Sequence, residues 1–183
     1  MNDNLQLFLE FALTHNVVFV LMFGALVPIA ADLTVRRSLS AGLKHGFVLA
    51  MAGIVGSALL AMFPDQIAFL SPVAILVVAI CAASVLHGWG ELGGEWAGVP
   101  RWLLAVAPMA GLQLHFWITD LRGLDAVLAA FGAGVGYYFG IVMVVTTIEQ
   151  IRIAEAPVHA KRLGTLFFAI AIFALGFSGF QFL

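Results

Sequence analysis

The sequence predicts an all-α integral membrane protein with six transmembrane helices arranged as two inverted three-helix repeats. Of its 183 residues, 63% are apolar and only 10% are charged, and the mean hydropathy is +1.09. A soluble domain is typically about a quarter charged. Eight basic and ten acidic residues are too few to cover the apolar surface of a soluble domain of this length. The net charge of −2 and the single cysteine exclude nucleic-acid-binding proteins and disulfide-stabilised domains.

The number of helices follows from the spacing of the charged and histidine residues, which leave six long uncharged stretches. Each is about as long as the 20 or so apolar residues that an α-helix needs to cross the hydrocarbon layer. The first stretch has no basic residue before it and no cleavage site, so we expect it to remain as a helix and not to be removed as a signal peptide. Within one domain spanning 1–183, the predicted helices are about 8–31, 42–63, 67–88, 101–119, 124–148 and 163–182.

The basic residues predict an orientation. Seven of the eight lie in three alternate loops, and Arg122 alone lies on the other side. Short loops rich in Lys and Arg stay in the cytoplasm. We therefore expect a multi-pass protein of the bacterial inner membrane with both termini in the periplasm. The seven residues are Arg36, Arg37, Lys44, Arg101, Arg152, Lys161 and Arg162, and Trp89, Trp96 and Trp102 are the expected interfacial anchors on the same side.

Six helices divide into two halves of three, and an odd number makes the second half enter the membrane from the opposite side. Two halves that cross the membrane in opposite directions are typical of an inverted repeat. The first helix of each half contains a proline, Pro28 and Pro108. Proline removes one helical hydrogen bond. We expect helices 1 and 4 to be broken at these residues, although an ordinary proline kink is an alternative that membrane helices tolerate.

The polar residues inside the predicted helices are the candidate functional site, because such residues are costly in lipid. They are His15, Asn16, Gln113 and His115, again in the first helix of each half. A histidine pair can ligate haem, but polar contacts between helices are the expected role here. No carboxylate lies deep in a predicted helix, which disfavours a proton pump or cation carrier. We therefore predict no catalytic residue and no metal site.

Small residues at four-residue spacing predict close helix contacts. Gly132, Gly136 and Gly140 share one face of the fifth helix, where a neighbouring helix can approach closely. Gly42, Gly46 and Ala50 have the same spacing in the second helix. We interpret both sets as packing surfaces, either within the chain or between subunits. The single cysteine, Cys81, lies among Ala and Val and is expected to pack as a small apolar residue.

Several stretches resemble the six-helix membrane subunits of the Rnf and Nqr electron-transport complexes, most of all the RnfA/NqrE branch. The resemblance covers nearly the whole chain. In the first helix, His15-Asn16-Val17-Val18 is similar to an Asn-Asn-Phe-Val-Leu stretch and Gly24-Ala25-Leu26-Val27-Pro28 to a Gly-Leu-Cys-Pro stretch. The other matching stretches are RWLLAVAP at 101–108, Val-Met-Val at 142–144 and Gly-Phe-Ser-Gly at 176–179.

The resemblance implies two inverted three-helix repeats and pairing with another, oppositely oriented membrane subunit. In the family, cysteines in the broken helices 1 and 4 of both partners hold a shared [2Fe–2S] cluster. The complex couples electron transfer to Na⁺ or H⁺ translocation. Here the two cysteine positions are Val27 and Leu114, neither of which can ligate iron. We therefore expect no cofactor in this chain and no [2Fe–2S] cluster.

Three functional interpretations remain open. The first is a cluster-free structural or accessory subunit of a larger membrane complex, with other integral membrane subunits and lipid as its partners and no nucleic acid. The second is an active subunit of an ion-translocating electron-transport complex. The third is a small inverted-repeat transporter lined by the candidate polar residues. Loss of both cysteines together favours the first.

Overall fold

The computed structural model describes residues 3–19, 21, 24–31, 33–154 and 163–179. This part of the chain consists mainly of α-helices, together with one π-helical turn, one 3₁₀ turn and one short hairpin. The α-helices are α1 (Asp3–Leu9), α2 (Leu26–Ala30), α3 (Val35–Ala61), α4 (Ser71–Gly88), α5 (Arg101–Leu104), α6 (Val106–Ile118), α7 (Gly123–Ile153) and α8 (Leu163–Ser178). The π-helical turn is Glu10–Thr14, the 3₁₀ turn is Asp65–Leu70, and the strands are β1 (Glu95–Trp96) and β2 (Val99–Pro100).

Three of the described helical stretches are long and apolar enough to cross a membrane. They are α3 (Val35–Ala61), α4 together with the end of the preceding 3₁₀ turn (Ala68–Gly88), and α7 (Gly123–Ile153). Gly164–Ser178 is apolar but shorter. The prediction of an all-α membrane protein is thus confirmed, whereas the count of six spans stays a prediction. α3 begins seven residues before the predicted second helix, because charged residues mark the edge of the lipid and do not stop a helix. Arg36 and Arg37 extend it beyond the apolar stretch.

Both segments that were expected to be broken are interrupted, but not at the prolines. In the first segment, helical structure ends at Thr14 and resumes at Leu26, while Pro28 lies inside α2. In the fourth, the interruption is the single residue Ala105, between α5 and α6. Pro108 causes this second interruption indirectly, since its missing N–H leaves the carbonyl four residues earlier, on Leu104, without its usual partner.

The centre of the fold is an antiparallel pair formed by α3 and α7. Gly46 faces Gly134 so closely that a Cβ atom on Gly134 would lie 2.6 Å from the Gly46 carbonyl oxygen. Gly42 packs on Tyr138, and Gly53 lies near Ala130. Glycine allows this approach because it has no side chain to separate the two backbones.

The remaining helices pack on either side of this pair. The first segment lies against α7, and its π-helical turn also contacts α8. The fourth segment, α5 and α6, lies against α3 and α4. The largest fully buried side chains are Tyr137, Phe19, Phe116, Leu49 and Leu86. Exposed side chains on the helices are largely apolar, among them Phe47, Val55, Phe168, Ile172 and Leu175, as expected for a surface that faces lipid.

The loop between α4 and α5 contains the hairpin, where the sequence alone indicates only a glycine-rich stretch. Glu95 pairs with Pro100 and Trp96 with Val99. Ala97 and Gly98 form the turn, both with positive φ (51° and 79°). Two consecutive residues with positive φ are typical of the tight turn that joins two-residue hairpin loops.

Candidate functional site

Asn16 lies at the point where the first segment stops being helical. It is fully buried, and its carboxamide makes four hydrogen bonds. The Oδ1 atom accepts from the backbone N–H groups of Val18 (2.9 Å) and Phe19 (3.2 Å). The Nδ2 atom donates to the carbonyl oxygens of Ala12 (3.1 Å) and Gly136 (2.9 Å). Asn16 therefore satisfies backbone groups that the interrupted helix would otherwise leave unpaired in an apolar environment.

His15 and His115 face each other across the first and fourth segments. Their ring centroids are 5.2 Å apart, and the planes are tilted by 47°. Phe11 packs against both rings, at 5.4 and 5.5 Å. Glu10 Oε1 lies 3.3 Å from His15 Nδ1, which is ion-pair distance if the imidazole is protonated, although the geometry is not that of a hydrogen bond. The structure thus brings together two of the four candidate polar residues, with one carboxylate beside them.

Gln113 lies on a different face of α6 from His115. It is buried, its Nε2 atom donates to the Met109 carbonyl at 3.1 Å, and its side chain packs directly on Gly56 of α3. Its Oε1 atom has no hydrogen-bond partner among the described residues. Two residues along an α-helix are about 200° apart, so Gln113 and His115 cannot face the same neighbour. The four candidate residues therefore lie in three separate environments and do not line one channel.

The glycines of α7 meet the first segment. Gly132 packs on the Phe8 carbonyl, Gly136 on the Ala12 carbonyl and Gly140 on the side chain of Val18. The residue numbers rise together on both sides, so the two segments run parallel. The three glycines thus lie at a contact within the chain, on a different face of α7 from Gly134, which meets α3.

The two positions where the family is expected to have cysteines lie in different surroundings. Val27 is 1% exposed and belongs to the hydrophobic core. Leu114 is 37% exposed on the outside of α6. Cys81 is exposed on α4. In the described part of the chain, no three His, Cys, Asp or Glu side chains are arranged so that they could hold a metal ion.

Sequence reasoning missed one buried polar pair, His45 of α3 and Tyr137 of α7. Their ring centroids are 6.4 Å apart and the planes differ by 23°. Both residues are almost fully buried, and the imidazole nitrogens and the hydroxyl have no hydrogen-bond partner among the described residues. In the sequence, His45 marks only the boundary of an uncharged stretch. The sequence feature that could have identified His45 as buried is its position next to Gly46, which lies at the contact between α3 and α7.

Comparison with known proteins gives matches on both the Rnf and the Nqr side. No family model matches the chain. One component of the proton-translocating ferredoxin:NAD(+) oxidoreductase complex of Clostridium ljungdahlii is 22% identical in an alignment that covers 99% of this chain and 97% of that protein. The chain is therefore similar over nearly its whole length to an Rnf membrane subunit, which supports the resemblance to the RnfA/NqrE branch.

Shorter matches come from the Nqr side of the family. One component of the Na(+)-translocating NADH-quinone reductase, NqrE, is 32% identical over 62 residues in both Photorhabdus laumondii and Proteus mirabilis. These alignments cover 34% of this chain and 31% of each relative. The resemblance noted in the sequence is confirmed, since the relatives on both sides are subunits of ion-translocating electron-transport complexes.

Proposed function

We propose that this chain is a cluster-free Rnf/Nqr-type subunit that acts through other membrane subunits, as a structural or accessory component of a larger complex. The observation that carries the proposal is the residue pair Val27 and Leu114, which occupies the positions where the family resemblance places iron-ligating cysteines. A buried valine and an exposed leucine offer no ligand atom. The complex would use this chain for its packing surfaces and not as part of the electron path.

The cysteine content supports the same conclusion. An iron–sulfur cluster needs several thiolates, and the sequence contains one cysteine. Cys81 lies on α4, in the third segment, and not in the first or fourth. It therefore lies on the wrong helix to replace either of the two missing cysteine ligands.

We further propose six spans in two inverted repeats, which adds the interrupted first and fourth segments and α8 to the three long helices. The support is the pattern of contacts. The fourth segment packs on α3 and α4, which are the second and third spans. The first segment packs on α7 and α8, which are the fifth and sixth. If spans 1, 2 and 3 correspond to spans 4, 5 and 6, the contacts of span 4 with spans 2 and 3 correspond to those of span 1 with spans 5 and 6. A pseudo-two-fold axis in the membrane plane requires this correspondence.

The proposed location is the bacterial inner membrane, with both termini in the periplasm. The start of α3, the end of α4 and the start of α5 lie at one end of the molecule, together with Arg37, Lys44 and Arg101. Arg122 lies in the loop at the opposite end, between α6 and α7. This distribution supports placing the first end in the cytoplasm.

We propose that the partner is a different integral membrane protein of the same complex. The relatives' names describe them as subunits of larger complexes, which supports a hetero-oligomer. The strong charge asymmetry favours a single orientation. A second copy of this chain inserted in the opposite direction is therefore disfavoured.

A second candidate function is an active subunit of an ion-translocating complex. It is favoured by the similarity to the Clostridium ljungdahlii protein, which extends over nearly the full length of both chains. The two candidates differ in whether a redox centre depends on this chain. In the second, the partner would have to supply all the ligands of that centre.

The deciding experiment is electron paramagnetic resonance and visible absorption of the complex that co-purifies with this chain in mild detergent. We expect no [2Fe–2S] signal that requires the chain, before or after reduction. The matched variant is Cys81→Ser, which should leave both spectra unchanged. A cluster signal that is lost when the chain is removed would overturn the proposal and favour the active subunit.

The facing pair of His15 and His115 favours a third candidate, a small transporter. It is tested with the purified chain in liposomes, by following Na⁺ and H⁺ flux. We expect no flux above that of protein-free liposomes. Flux that disappears in His115→Ala would support transport and contradict an accessory role.

A further inference from the structure

A polar cleft opens at the end of the molecule where α3 begins and α4 ends. Three separate stretches of the chain line it. Leu33, Arg37 and Ser40 come from the start of α3 and the residues before it, Glu91 from the loop after α4, and Arg101 from the first residue of α5. The cleft is therefore formed by the tertiary fold and not by one loop.

The cleft has a surplus of positive charge among the described residues. The carboxylate of Glu91 is paired with the Lys44 ammonium group, so it is already neutralised. Arg37 makes no ion pair with a described residue. Arg101 donates only its Nε–H to the Glu95 carbonyl, at 3.2 Å, which leaves its charge unpaired and its terminal nitrogens available. Two guanidinium groups therefore line a common cleft without a counterion in the described part of the chain.

Two tryptophans beside the cleft indicate where it lies relative to the bilayer. Trp89 and Trp102 directly adjoin it in sequence, next to Gly90 and Arg101. Trp89 is exposed, and the Trp102 ring packs on the His87 ring with centroids 6.0 Å apart. Tryptophan concentrates at the boundary between hydrocarbon and headgroups. A basic cleft next to two such residues is therefore expected at the level of the lipid phosphate groups.

We propose that this cleft binds the phosphate group of an anionic phospholipid. A guanidinium group donates two parallel hydrogen bonds to phosphate oxygens, and basic pockets at the ends of transmembrane helices bind acidic headgroups. Ser40 adds a hydroxyl donor, and Leu33 offers an apolar contact to the glycerol and first methylene groups. This inference does not depend on whether the chain takes part in electron transport.

The test measures lipid retention by native mass spectrometry after delipidation of the full-length protein. The probes are phosphatidylglycerol and cardiolipin, with phosphatidylcholine as the zwitterionic reference. Glycerol 3-phosphate and inorganic phosphate are the water-soluble probes, which test whether a phosphate group without a lipid tail binds. We expect the anionic lipids to bind at least about tenfold more tightly than phosphatidylcholine. Removing the charge of Arg37 or Arg101 with glutamine should weaken anionic lipid binding about fivefold each.

The matched control is Arg36→Gln, which removes the same charge from the neighbouring residue without changing the cleft. It should weaken binding less than about twofold. The double variant Arg37→Lys with Arg101→Lys should keep part of the affinity, which separates loss of charge from a folding defect. Equal effects of the Arg36 and Arg37 variants would overturn the proposal. So would soluble phosphate binding as tightly as lipid, or a cleft variant that loses a protein partner while lipid binding is unchanged.

Discussion

Asn16 donates a hydrogen bond from its carboxamide to the carbonyl oxygen of Gly136, 120 residues further along the chain, at a distance of 2.9 Å. This bond joins the interruption of the first segment to the middle of α7. Gly136 allows it because the helix surface has no side chain at the contact, where a Cβ atom would lie 2.9 Å from Asn16 Nδ2. The polar residue and the small residue thus form one structural unit.

Asn16→Ala should be among the most destabilising single substitutions in the chain. It leaves the N–H groups of Val18 and Phe19 and the carbonyl of Ala12 without their side-chain partner in a buried site. The expected loss is about 2–4 kcal/mol in the free energy of unfolding. It can be measured by far-ultraviolet circular dichroism during titration from mild detergent into dodecyl sulfate.

Two further variants complete that experiment. Asn16→Asp keeps the acceptor atoms but loses both donors and buries a charge, so it should be at least as unstable as Asn16→Ala. Thr119→Val removes a local hydrogen bond to the His115 carbonyl from an exposed residue and should cost less than about 0.5 kcal/mol. Similar losses for Asn16→Ala and Thr119→Val would show that Asn16 does not support the interruption.

Gly134→Ala should separate the central helices. The new Cβ would lie 2.6 Å from the Gly46 carbonyl oxygen and 3.1 Å from the Ala50 Cβ, and backbone cannot move aside as a flexible side chain can. We expect a loss of about 2–3 kcal/mol, the cost of overpacking, in the same unfolding titration. Gly176→Ala is the matched control, because nothing described lies within 4 Å of its Cβ position. Equal stability of the two variants would contradict close packing of α3 and α7.

Lys44→Gln should destabilise the protein more than removal of the whole ion pair does. Glu91 is only 15% exposed, so it loses its neutralising partner where water reaches it poorly. We expect about 1–3 kcal/mol for the single variant and a smaller loss for Lys44→Gln with Glu91→Gln. The control is the same double-mutant cycle on the ion pair of Arg122 and Asp120, whose Nε and Oδ1 atoms are 2.6 Å apart. Both of these side chains are exposed (66% and 72%), so their coupling energy should be below about 1 kcal/mol. Equal coupling in the two cycles would contradict the prediction.

The orientation is testable with single cysteines in a Cys81→Ala background. Asp3→Cys should react with a membrane-impermeant maleimide in intact spheroplasts, because the N-terminus is expected in the periplasm. Gly93→Cys, in the loop beside the hairpin, should react only in inside-out vesicles. Leu124→Cys, exposed at the start of α7, is a second site expected to face the periplasm. Labelling with the opposite sidedness would reverse the topology and place the basic loops outside the cytoplasm.

Much of the helical architecture was predictable because lipid allows few solutions for long apolar stretches. The location of the interruptions was less so. Pro28 and Pro108 drew attention to the correct segments, yet the first interruption is set by the side chain of Asn16. A residue whose carboxamide can replace backbone partners was a better signal than the proline. Its role depends on Gly136, and no local pattern reveals a contact so distant in sequence.

The candidate site was less predictable than the fold. His15 and His115 lie together because the first and fourth segments meet. Gln113 instead packs on α3, and the carboxamide of Asn16 makes its hydrogen bonds with backbone groups. Polarity within a span identifies residues that need a partner. It does not say whether the partner is a ligand or the backbone of the next helix. The buried pair of His45 and Tyr137 was missed for the same reason, since each belongs to a different segment.

The contact between the first segment and α7 has a consequence for biosynthesis. At typical translation rates, the 120 residues that separate Asn16 from Gly136 take about 6–24 s to synthesise. During that time the interrupted segment is in the membrane before its partner helix has been made. The bonds from Asn16 to Ala12, Val18 and Phe19 can form at once, but its bond to Gly136 has to wait for the fifth segment. A chain that ends before residue 136 therefore lacks the polar contact that joins the first segment to α7.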